Sequence, residues 1–515
     1  MKIEKKILHS LEELRDCVND IHVHKMKIVL CQGHFNVIHP GHIRFLEFSK
    51  KQGDFFIVVV QGQKKIDPAM RDKFFKVNER ARGVASLEYV DKVFIFEDGS
   101  FEELLKIVKP SAYVMGEEFS LKINIIDDQI KLVESFGGKV IFSSGDVRYE
   151  STEFLDKTYL EIAEQRKKLF YAALSKQNIS IKKLFAYSGA FHNVHILVIG
   201  DTIVDQYIAC DALGMSSEAP VLVVRELETK EFVGGAAIVA RHVRSLGAKC
   251  TFISLIGNDQ PGEMITHELA NEHIEAHLMR DNGRPTTFKI RYMVGTQKVL
   301  RVSRLQDKHL DKKMEEDVIK KLYETIESID AIIVSDFSYG LITPRIVNVI
   351  SEIANQYNVK LFGDVQSSSQ IGNISRLINY YCLTPTEKEA RITLEDKYSG
   401  LEMIGTNLIK LTRAHGILLK IGAEGFVSFE NTKAEVFIKT QHFPALNPTP
   451  VDVVGAGDSL LTGLAVSSCS GATLMEASAI GAIVASIAVS KIGNIPVSIS
   501  ELQNYLRSLQ DREHD

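Results

Sequence analysis

The chain has 515 residues, of which 45% are hydrophobic and 25% charged, so it is too long for one ordinary core. We expect two or three domains. A formal net charge of -5 excludes bulk attraction to nucleic acid or to anionic lipid, so any anionic ligand must be held by local groups. Six scattered cysteines, no signal-peptide pattern and no apolar run of about 18 residues predict a cytoplasmic protein with reduced thiols and no membrane span.

The first part of the chain has the pattern of an α/β domain. Residues 1–24 are charged and amphipathic, which predicts an N-terminal helical extension. Helix-length segments then separate short apolar runs at 26–31, 55–61, 92–96, 112–115 and 138–142. Such strands form parallel sheets covered on both faces, so we predict a Rossmann-like domain over residues 25–151. Residues 152–177 lack Pro and Gly and have helical apolar spacing, which predicts a connecting helix in a 152–192 linker.

A second α/β series predicts another domain over residues 193–515. Apolar strands recur at 194–201, 331–336, 359–364 and 416–422, and an apolar helical tract covers 472–490. The inserted stretches "VLVVRELETKEFV" and "TTFKIRYMVGTQKVLRVSRL" alternate like exposed β ribbon. We therefore predict a second α/β domain with a small β lid.

The stretch "GHFNVIHPGH", residues 33–42, marks a candidate phosphate site in the first domain. Gly33 permits a tight turn after a strand, and Pro40 stands where a helix begins. His39 and His42, three residues apart on the first helical turn, face the same way and reinforce the anion-binding helix start. Such imidazoles stabilise charge that develops on a phosphate during displacement.

Two alternative readings of this stretch stay open. The alternatives to a phosphate site are a solvent-facing turn and a zinc site that also includes His22, His24 and His34. Zinc is the weaker alternative, because carboxylate or thiolate partners at metal-like spacing are absent from the sequence.

The first domain resembles the cytidylyltransferase-like nucleotidyltransferases. "GHFNVIHPGH" is similar to their GxFDxxHxGH signature, and "NERARGVASLEYVDKVFIFED", "LLKIVKPSAYVMGEEF" and "RYESTEFLDK" are similar to later family segments in order. The resemblance implies transfer of a nucleotidyl group from ATP or CTP to a sugar or polyol phosphate, with Mg²⁺ and release of pyrophosphate. It implies catalysis by His39 and His42, and nucleotide binding by Gly33, Phe35, Gly41, Arg80, Ser151 and Thr152.

This domain departs from the family pattern at two positions. Asn36 replaces the usual Asp, and Glu153 stands where a second Thr is common. Both lie near the implied triphosphate site, which leaves the nucleotide and the rate open.

The stretch "PVDVVGAGDSLLTG", residues 450–463, marks a second candidate site. Gly455, Ala456 and Gly457 let backbone amides close around a transferring phosphoryl group at a helix start. Asp458 is then placed to take the proton of an acceptor hydroxyl. No GxxxxGK[ST] loop is present, so this arrangement predicts a kinase without a Walker loop.

Residues 194–505 resemble the ribokinase-like (PfkB) sugar kinases. "VGAGD" is similar to their DTxGAGD signature, and "GDTIVDQY", "VGGAAIVARHVRSLGA", "LTPTEKE" and "KIGAEG" follow the family order. The resemblance implies Asp458 as the base, with Gly455, Ala456 and Gly457 as the anion hole. It also implies sugar binding by Asp205, Gly234 and Gly235, a role in Mg²⁺ binding for Glu389, and a place beside the nucleotide for Gly422 and Gly425.

Three departures bear on the activity of this domain. Ile238 stands where an Asn usually contacts the sugar, Thr386 begins the NxxE motif, and "GDVQSS" replaces DPKG. An apolar side chain facing a buried hydroxyl weakens sugar binding or changes specificity. The sequence therefore leaves a working kinase of altered specificity and a degenerate kinase both open.

Several charged residues have both a functional and an ordinary interpretation. Arg291, together with Arg301 and Arg304, is expected either to clamp a sugar phosphate or to be a solvated charge of the ribbon. Lys64 and Lys65 either reach the nucleotide phosphates or lie on the surface.

Together the two domains resemble the bifunctional ADP-heptose synthases, with the domain order reversed. The resemblance implies phosphorylation of a heptose phosphate at C1 and adenylylation of a heptose 1-phosphate. The alternative is a CTP-dependent cytidylyltransferase whose kinase-like domain serves as a binding or oligomerisation module. We expect a homodimer that acts on a small sugar phosphate and a nucleoside triphosphate, with no nucleic-acid or membrane partner.

Overall fold

The computed structural model describes residues 3–36, 38, 40–66, 74–116, 123–143, 159–219, 221–295, 297–366, 372–432 and 438–510. The chain divides into two compact units, Met1–Asp156 with Asp396–Ile404, and Lys157–Glu395 with Gly405–Asp515. Within the described ranges, no helix has both the length and the hydrophobicity that a bilayer crossing requires.

The first unit alternates strands and helices along the chain. Its strands are β1 (Ile7–Leu8), β2 (Ile28–Gly33), β3 (Phe55–Gln61), β4 (Lys92–Phe96), β5 (Ala112–Gly116) and β6 (Lys139–Ser143). Its helices are α1 (Leu11–Val23), α2 (Pro40–Lys50), α3 (Val77–Ala85), α4 (Phe101–Val108) and α5 (Ile123–Ser135).

These strands form one parallel sheet in the order β1-β4-β3-β2-β5-β6. Without β1, this is the 3-2-1-4-5 arrangement of a doubly wound sheet, with its switch point between β2 and β5. Separate apolar clusters cover the two faces, one containing Val58 and the other Ile57. The predicted Rossmann-like fold and its five parallel strands are therefore confirmed.

The N-terminal segment adds an element that the sequence pattern did not predict. Strand β1 pairs with β4, with Ile7 opposite Val93, and forms one edge of the sheet. Helix α1 begins at its cap Ser10, whose hydroxyl accepts a hydrogen bond from the amide of Glu13 at 3.1 Å. The segment expected as an extension thus contributes a strand and a buried helix face to this unit.

The second unit has a longer series of elements. Its strands are β7 (His195–Gly200), β8 (Thr202–Met215), β9 (Leu222–Gly235), β10 (Lys249–Gly257), β11 (Glu275–Asp281), β12 (Thr287–Val294), β13 (Gln297–Arg304), β14 (Ala331–Asp336), β15 (Lys360–Val365), β16 (Cys382–Leu383), β17 (Gly416–Lys420), β18 (Phe426–Glu430) and β19 (Lys439–Phe443). Its helices include α6 (Tyr159–Lys176), α7 (Ile181–Gly189), α8 (Ala236–Ser245), α9 (Gln260–Asn271), α10 (Lys312–Thr325), α11 (Pro344–Tyr357), α12 (Glu387–Leu394), α13 (Leu401–Thr412, of which residues 405–412 belong to this unit), α14 (Ala456–Cys469), α15 (Leu474–Ala488) and α16 (Ile499–Gln510).

The main sheet of this unit has the order β11-β10-β7-β14-β15-β16-β17-β18-β19. It is parallel up to β17, after which β18 and β19 continue as antiparallel strands. Strands β13-β12-β8-β9 form a separate sheet whose outer part is exposed. The predicted α/β domain with a β lid is therefore confirmed. The apolar tract at 472–490 is the buried helix α15.

Helix α6 lies in the second unit. The Arg166 guanidinium donates to the carbonyl oxygens of Ala445 and Asn447 at 3.0 and 3.1 Å. The Phe170 ring lies 6.3 Å from that of Phe443, between ring centres. The helix predicted between the domains thus joins the core of the second unit over its described part, because one face of it is apolar.

Candidate active sites

A cavity of about 650 Å³ opens at the carboxyl ends of the parallel strands in the second unit. In open α/β sheets, ligands bind at this end of the strands. Among the charged and amide side chains along its wall are Asp205, Lys289, Gln366, Glu389, Lys420 and Asp458. The cavity therefore combines cations that attract phosphate with carboxylates that accept protons.

The start of helix α14 forms one wall of the cavity. Gly455 precedes the helix with φ 79°, a left-handed conformation that favours glycine. A Cβ there would also lie 2.6 Å from Asn494 Oδ1. The first amides of a helix have no partner within the helix, which favours an anion at Ala456 and Gly457, although the Ala456 amide donates to the carbonyl oxygen of Val453 at 3.4 Å in this structure. The structure thus brings all three predicted anion-hole residues to the cavity.

Asp458 lies in the first turn of α14 and is only 6% exposed. Burial and the nearby Asp364 carboxylate raise its pKa to about 7, although Lys420 acts in the opposite direction. Gln366 Nε2 is 3.4 Å from Asp458 Oδ1 and donates to it. A carboxylate whose pKa lies near neutrality is well matched to general base catalysis.

This pKa predicts the pH dependence of phosphoryl transfer. A base acts only when ionised, so for a phosphoryl transfer in which Asp458 takes the proton we expect kcat/KM to rise with pH and to level off above an apparent pKa near 7. The measurement is ADP release at subsaturating acceptor from about pH 5 to about pH 9. A rate that is constant across this range would contradict the assignment of Asp458 as the base.

Asp205 anchors a buried polar cluster on the lid side of the cavity. Arg291 Nη1 donates to Asp205 Oδ1, and Asn494 Nδ2 donates to Asp205 Oδ2 at 3.0 Å. The guanidinium carbon of Arg291 also lies 5.2 Å from the centre of the Tyr207 ring. Arg291 lines the cavity, but its charge is balanced by Asp205 in this structure. Its predicted role as a phosphate clamp stays a prediction.

The two predicted sugar-site glycines are explained by close packing. A Cβ on Gly234 would collide with Asp205 Oδ2, and one on Gly235 with the carbonyl oxygen of Asp201. Gly235 also has φ 62° and caps helix α8. Ile238 follows in that helix, is fully buried and is absent from the described cavity wall.

Glu389 and Thr386 form a capping box at the start of α12. The Thr386 hydroxyl accepts from the Glu389 amide at 3.2 Å, and the Glu389 carboxylate accepts from the Thr386 amide at 2.8 Å. Thr caps a helix nearly as well as Asn, so the departure at Thr386 keeps the local geometry. Both residues line the cavity.

The two glycines that are predicted to lie beside the nucleotide also line the cavity. Gly422 has φ 67° and Gly425 has φ 96°. A Cβ on Gly425 would collide with the carbonyl oxygen of Phe443. This turn between β17 and β18 therefore depends on glycine at both positions.

In the first unit, the candidate site lies at the switch point after β2. Gly33 ends this strand, and a Cβ there would lie 2.8 Å from the Phe35 ring. Phe35 has φ 46°, is buried, and its ring centre lies 5.3 Å from that of His42 at 61°. Gly41 and His42 lie in the first turn of α2. His39, Ser151, Thr152 and Glu153 lie outside the described residues.

Arg80 positions the loops around this site. Its Nε donates to the carbonyl of Phe75 at 2.9 Å, and its Nη1 donates to those of His34 and Gln61 at 2.6 and 2.9 Å. The side chain is buried, which lowers its pKa. Its donors thus serve the loops after β2 and β3 in this structure, and its approach to a triphosphate stays a prediction.

The other charged sequence candidates in this unit, Lys64 and Lys65, contact groups of the protein itself. Lys64 Nζ pairs with Asp98 at 2.8 Å, and Lys65 Nζ donates to the carbonyl of Gly99 at 3.0 Å. Among the residues that the structure describes, no three His, Cys, Asp or Glu side chains are grouped as a metal site.

The cavity residues that sequence reasoning missed include Lys289, Gln366, Lys420 and Asn494. Gln366 lies in the "GDVQSS" segment, which was identified only as a departure from the family's DPKG pattern. Lys420 lies in "KIGAEG", beside the glycines of that segment. Asn494 has no motif of its own, so no sequence signal could have identified it.

The second unit has a ribokinase-like α/β fold. Its features are a largely parallel sheet covered by helices, a four-stranded lid, and a glycine-lined helix start beside a buried carboxylate. The chain belongs to the pfkB family of carbohydrate kinases, whose sequence profile matches residues 193–501. A second profile, cytidylyltransferase-like, matches residues 30–155.

Named relatives support these assignments. The chain is 30% identical over 315 residues to the "Bifunctional protein HldE" of Campylobacter jejuni serotype O:6, and 28% identical over 328 residues to that of Sulfurimonas denitrificans. The matches cover 61% and 62% of this chain and 64% and 66% of those proteins, so just under two thirds of each relative is spanned. The fold is similar to Escherichia coli phosphofructokinase-2 with substrates and products, with a TM-score of 0.51, 16% identity, and coverage of 62% of this chain and 99% of that one.

Proposed function

We propose that the chain is a bifunctional enzyme of nucleotide-sugar synthesis. Its second unit phosphorylates a heptose phosphate at C1 with ATP, and its first unit transfers a nucleotidyl group, preferably from ATP, to a sugar 1-phosphate. The observation that carries the proposal is the glycine-lined start of α14 with Asp458 in the cavity. The matches of one chain to a pfkB profile and to a cytidylyltransferase-like profile support the pairing, and the HldE relatives are named bifunctional proteins.

In the kinase reaction, Asp458 accepts the proton of the acceptor hydroxyl as its oxygen attacks the terminal phosphorus of ATP. The bond to the ADP oxygen breaks, and the amides at the start of α14 stabilise the charge on the phosphoryl oxygens. Asp205 and the close-packed Gly234 and Gly235 hold the sugar on the lid side. Gly422 and Gly425 shape the nucleotide side of the cavity.

A Mg²⁺ ion fits the donor set of this cavity. Mg²⁺ on nucleotide phosphates needs only one or two protein carboxylates, since phosphate oxygens and waters supply the other ligands. Glu389 lines the cavity and would hold the ion directly or through water. When bound, the ion neutralises phosphate charge, while Asp458 handles the proton.

In the nucleotidyl transfer, the acceptor phosphate attacks the α-phosphorus of the nucleotide and pyrophosphate leaves. His39 and His42 donate hydrogen bonds to the phosphates at the start of α2, with Gly33, Phe35 and Gly41 forming the loop around them. Arg80, Ser151 and Thr152 complete the proposed nucleotide site. The position of Gly33 at the switch point of the sheet supports this placement.

The alternative, a CTP enzyme with an inactive kinase-like domain, has weaker support. The base position, the anion hole and the capping-box glutamate all remain at one cavity. An inactive module would have no need for a buried carboxylate whose pKa is about 7, since such a group costs stability when it ionises.

We propose that the domain order is reversed relative to HldE proteins, with boundaries at residues 24, 151 and 192. We also propose a cytoplasmic homodimer, supported by the six free cysteines and by apolar side chains exposed on the lid, namely Leu213, Met215, Leu222, Leu227 and Leu300.

The proposal is tested by incubating the purified chain with Mg²⁺, each nucleoside triphosphate and a panel of sugars and sugar phosphates. ADP and pyrophosphate are measured separately, and product mass identifies the acceptor. We expect ADP with a sugar phosphate and pyrophosphate with a sugar 1-phosphate. Pyrophosphate release without ADP for any acceptor would favour the inactive-module alternative.

A further inference from the structure

Lys420 is a partly buried cation at the end of β17, on the cavity wall. Its Nζ donates to both carboxylate oxygens of Asp364, at 2.9 and 3.1 Å, and its side chain is 14% exposed. The Thr384 hydroxyl donates to the same carboxylate at 3.1 Å. The ammonium is therefore held in one place rather than free to move on a flexible stem.

This ammonium lies beside the anion hole. A Cβ placed on Gly457 would be 3.1 Å from Lys420 Nζ. An ammonium carries three N–H donors, and Asp364 takes two of them. Since Lys420 borders the cavity, an anion at the start of α14 is within reach of the remaining donor.

The lysine keeps its charge in this setting. Burial opposes the charged form, but attraction to Asp364, Glu389 and Asp458 exceeds that cost and raises the pKa of Lys420. A fixed positive charge and a helix N-terminus therefore meet at one point. Both attract the same kind of ligand, a phosphate group.

We propose that Lys420 contacts the terminal phosphoryl group of the nucleotide and is a further catalytic residue of the kinase site. The inference rests on the proposed kinase function. As the phosphorus–oxygen bond to ADP breaks and the bond to the acceptor oxygen forms, Lys420 stays protonated and the acceptor proton goes to Asp458. Its charge supplements backbone amides in a site that has no Walker lysine.

A purely structural role for Lys420 is the competing explanation. Removing the lysine alone leaves Asp364 buried without its counter-charge, which destabilises the fold whatever else the lysine does. The double variant Lys420→Met with Asp364→Asn removes both charges and so separates the two explanations. Lys420→Arg keeps the positive charge and serves as the conservative control.

The test is calorimetric binding of ADP and of the non-hydrolysable ATP analogue AMP-PNP, each with Mg²⁺, to the full chain. We expect the double variant to fold, to bind ADP like the wild type, and to bind AMP-PNP roughly 10- to 100-fold more weakly. Lys420→Arg should keep most of the AMP-PNP affinity. A double variant with wild-type affinity for AMP-PNP, or a wild type that binds neither nucleotide, would overturn the inference.

This binding test is independent of turnover. A wild type that binds AMP-PNP through Lys420 but never releases ADP would support the contact with the terminal phosphate and refute the proposed kinase reaction, and with it the catalytic role of Lys420. A working kinase whose double variant keeps its AMP-PNP affinity would refute the inference alone.

Discussion

Asp458→Asn is expected to lower kcat for ADP release by roughly 10²- to 10⁴-fold, because an amide cannot accept the acceptor proton. The two side chains have nearly the same shape, and the carboxylate is buried with a raised pKa, so the fold should tolerate the change. Acceptor and nucleotide binding should therefore change little. The measurement is a steady-state ADP assay at saturating substrates.

The matched control is Asp317→Asn, at an exposed position on helix α10 of the same unit. It should leave ADP release at the wild-type rate. Pyrophosphate release from a sugar 1-phosphate should also be unaffected in both variants. If Asp458→Asn left every activity intact, the second unit would be a binding module.

His42→Ala is expected to lower pyrophosphate release by roughly 10²- to 10³-fold, since it removes a hydrogen-bond donor to the phosphate on which charge develops. His42 lies in the first turn of α2, where the helix start already favours an anion. The kinase reaction should keep its wild-type rate. The assay follows pyrophosphate from the nucleotide and a sugar 1-phosphate.

A second histidine variant controls for loss of fold. His24→Ala changes a ring that is 66% exposed beyond the end of helix α1 in the same unit, so it should retain full activity. Loss of ADP release together with pyrophosphate release in His42→Ala would mean that the two reactions are not carried out by separate sites.

Local patterns in the sequence predicted the strands well, and they predicted that Gly455 to Asp458 lie together at a helix start. The apolar strands of both units are covered on two faces, so their pattern is strong, and Gly455 to Asp458 form a site from neighbouring residues. The edge strand β1 is only two residues long and has too little pattern to detect.

Contacts between residues that are far apart in the chain could not be predicted from the sequence. Asp364 and Lys420 are 56 positions apart, and Asp205 and Asn494 are 289 apart. Each pair forms because the fold places the ends of parallel strands, or of lid elements, next to each other. The spacing of residues along the chain does not indicate such a contact. Thr386 is the reverse case, since a departure from the family pattern proves to be an ordinary helix cap.

The central claim is that phosphoryl transfer takes place at the start of α14. A crystal structure of the full chain with AMP-PNP, Mg²⁺ and a sugar phosphate tests it most directly. We predict the terminal phosphate on the amides of Ala456 and Gly457, with an acceptor hydroxyl about 3 Å from the Asp458 carboxylate. A nucleotide bound with that phosphate directed away from α14, or a cavity closed to nucleotide, would contradict the account.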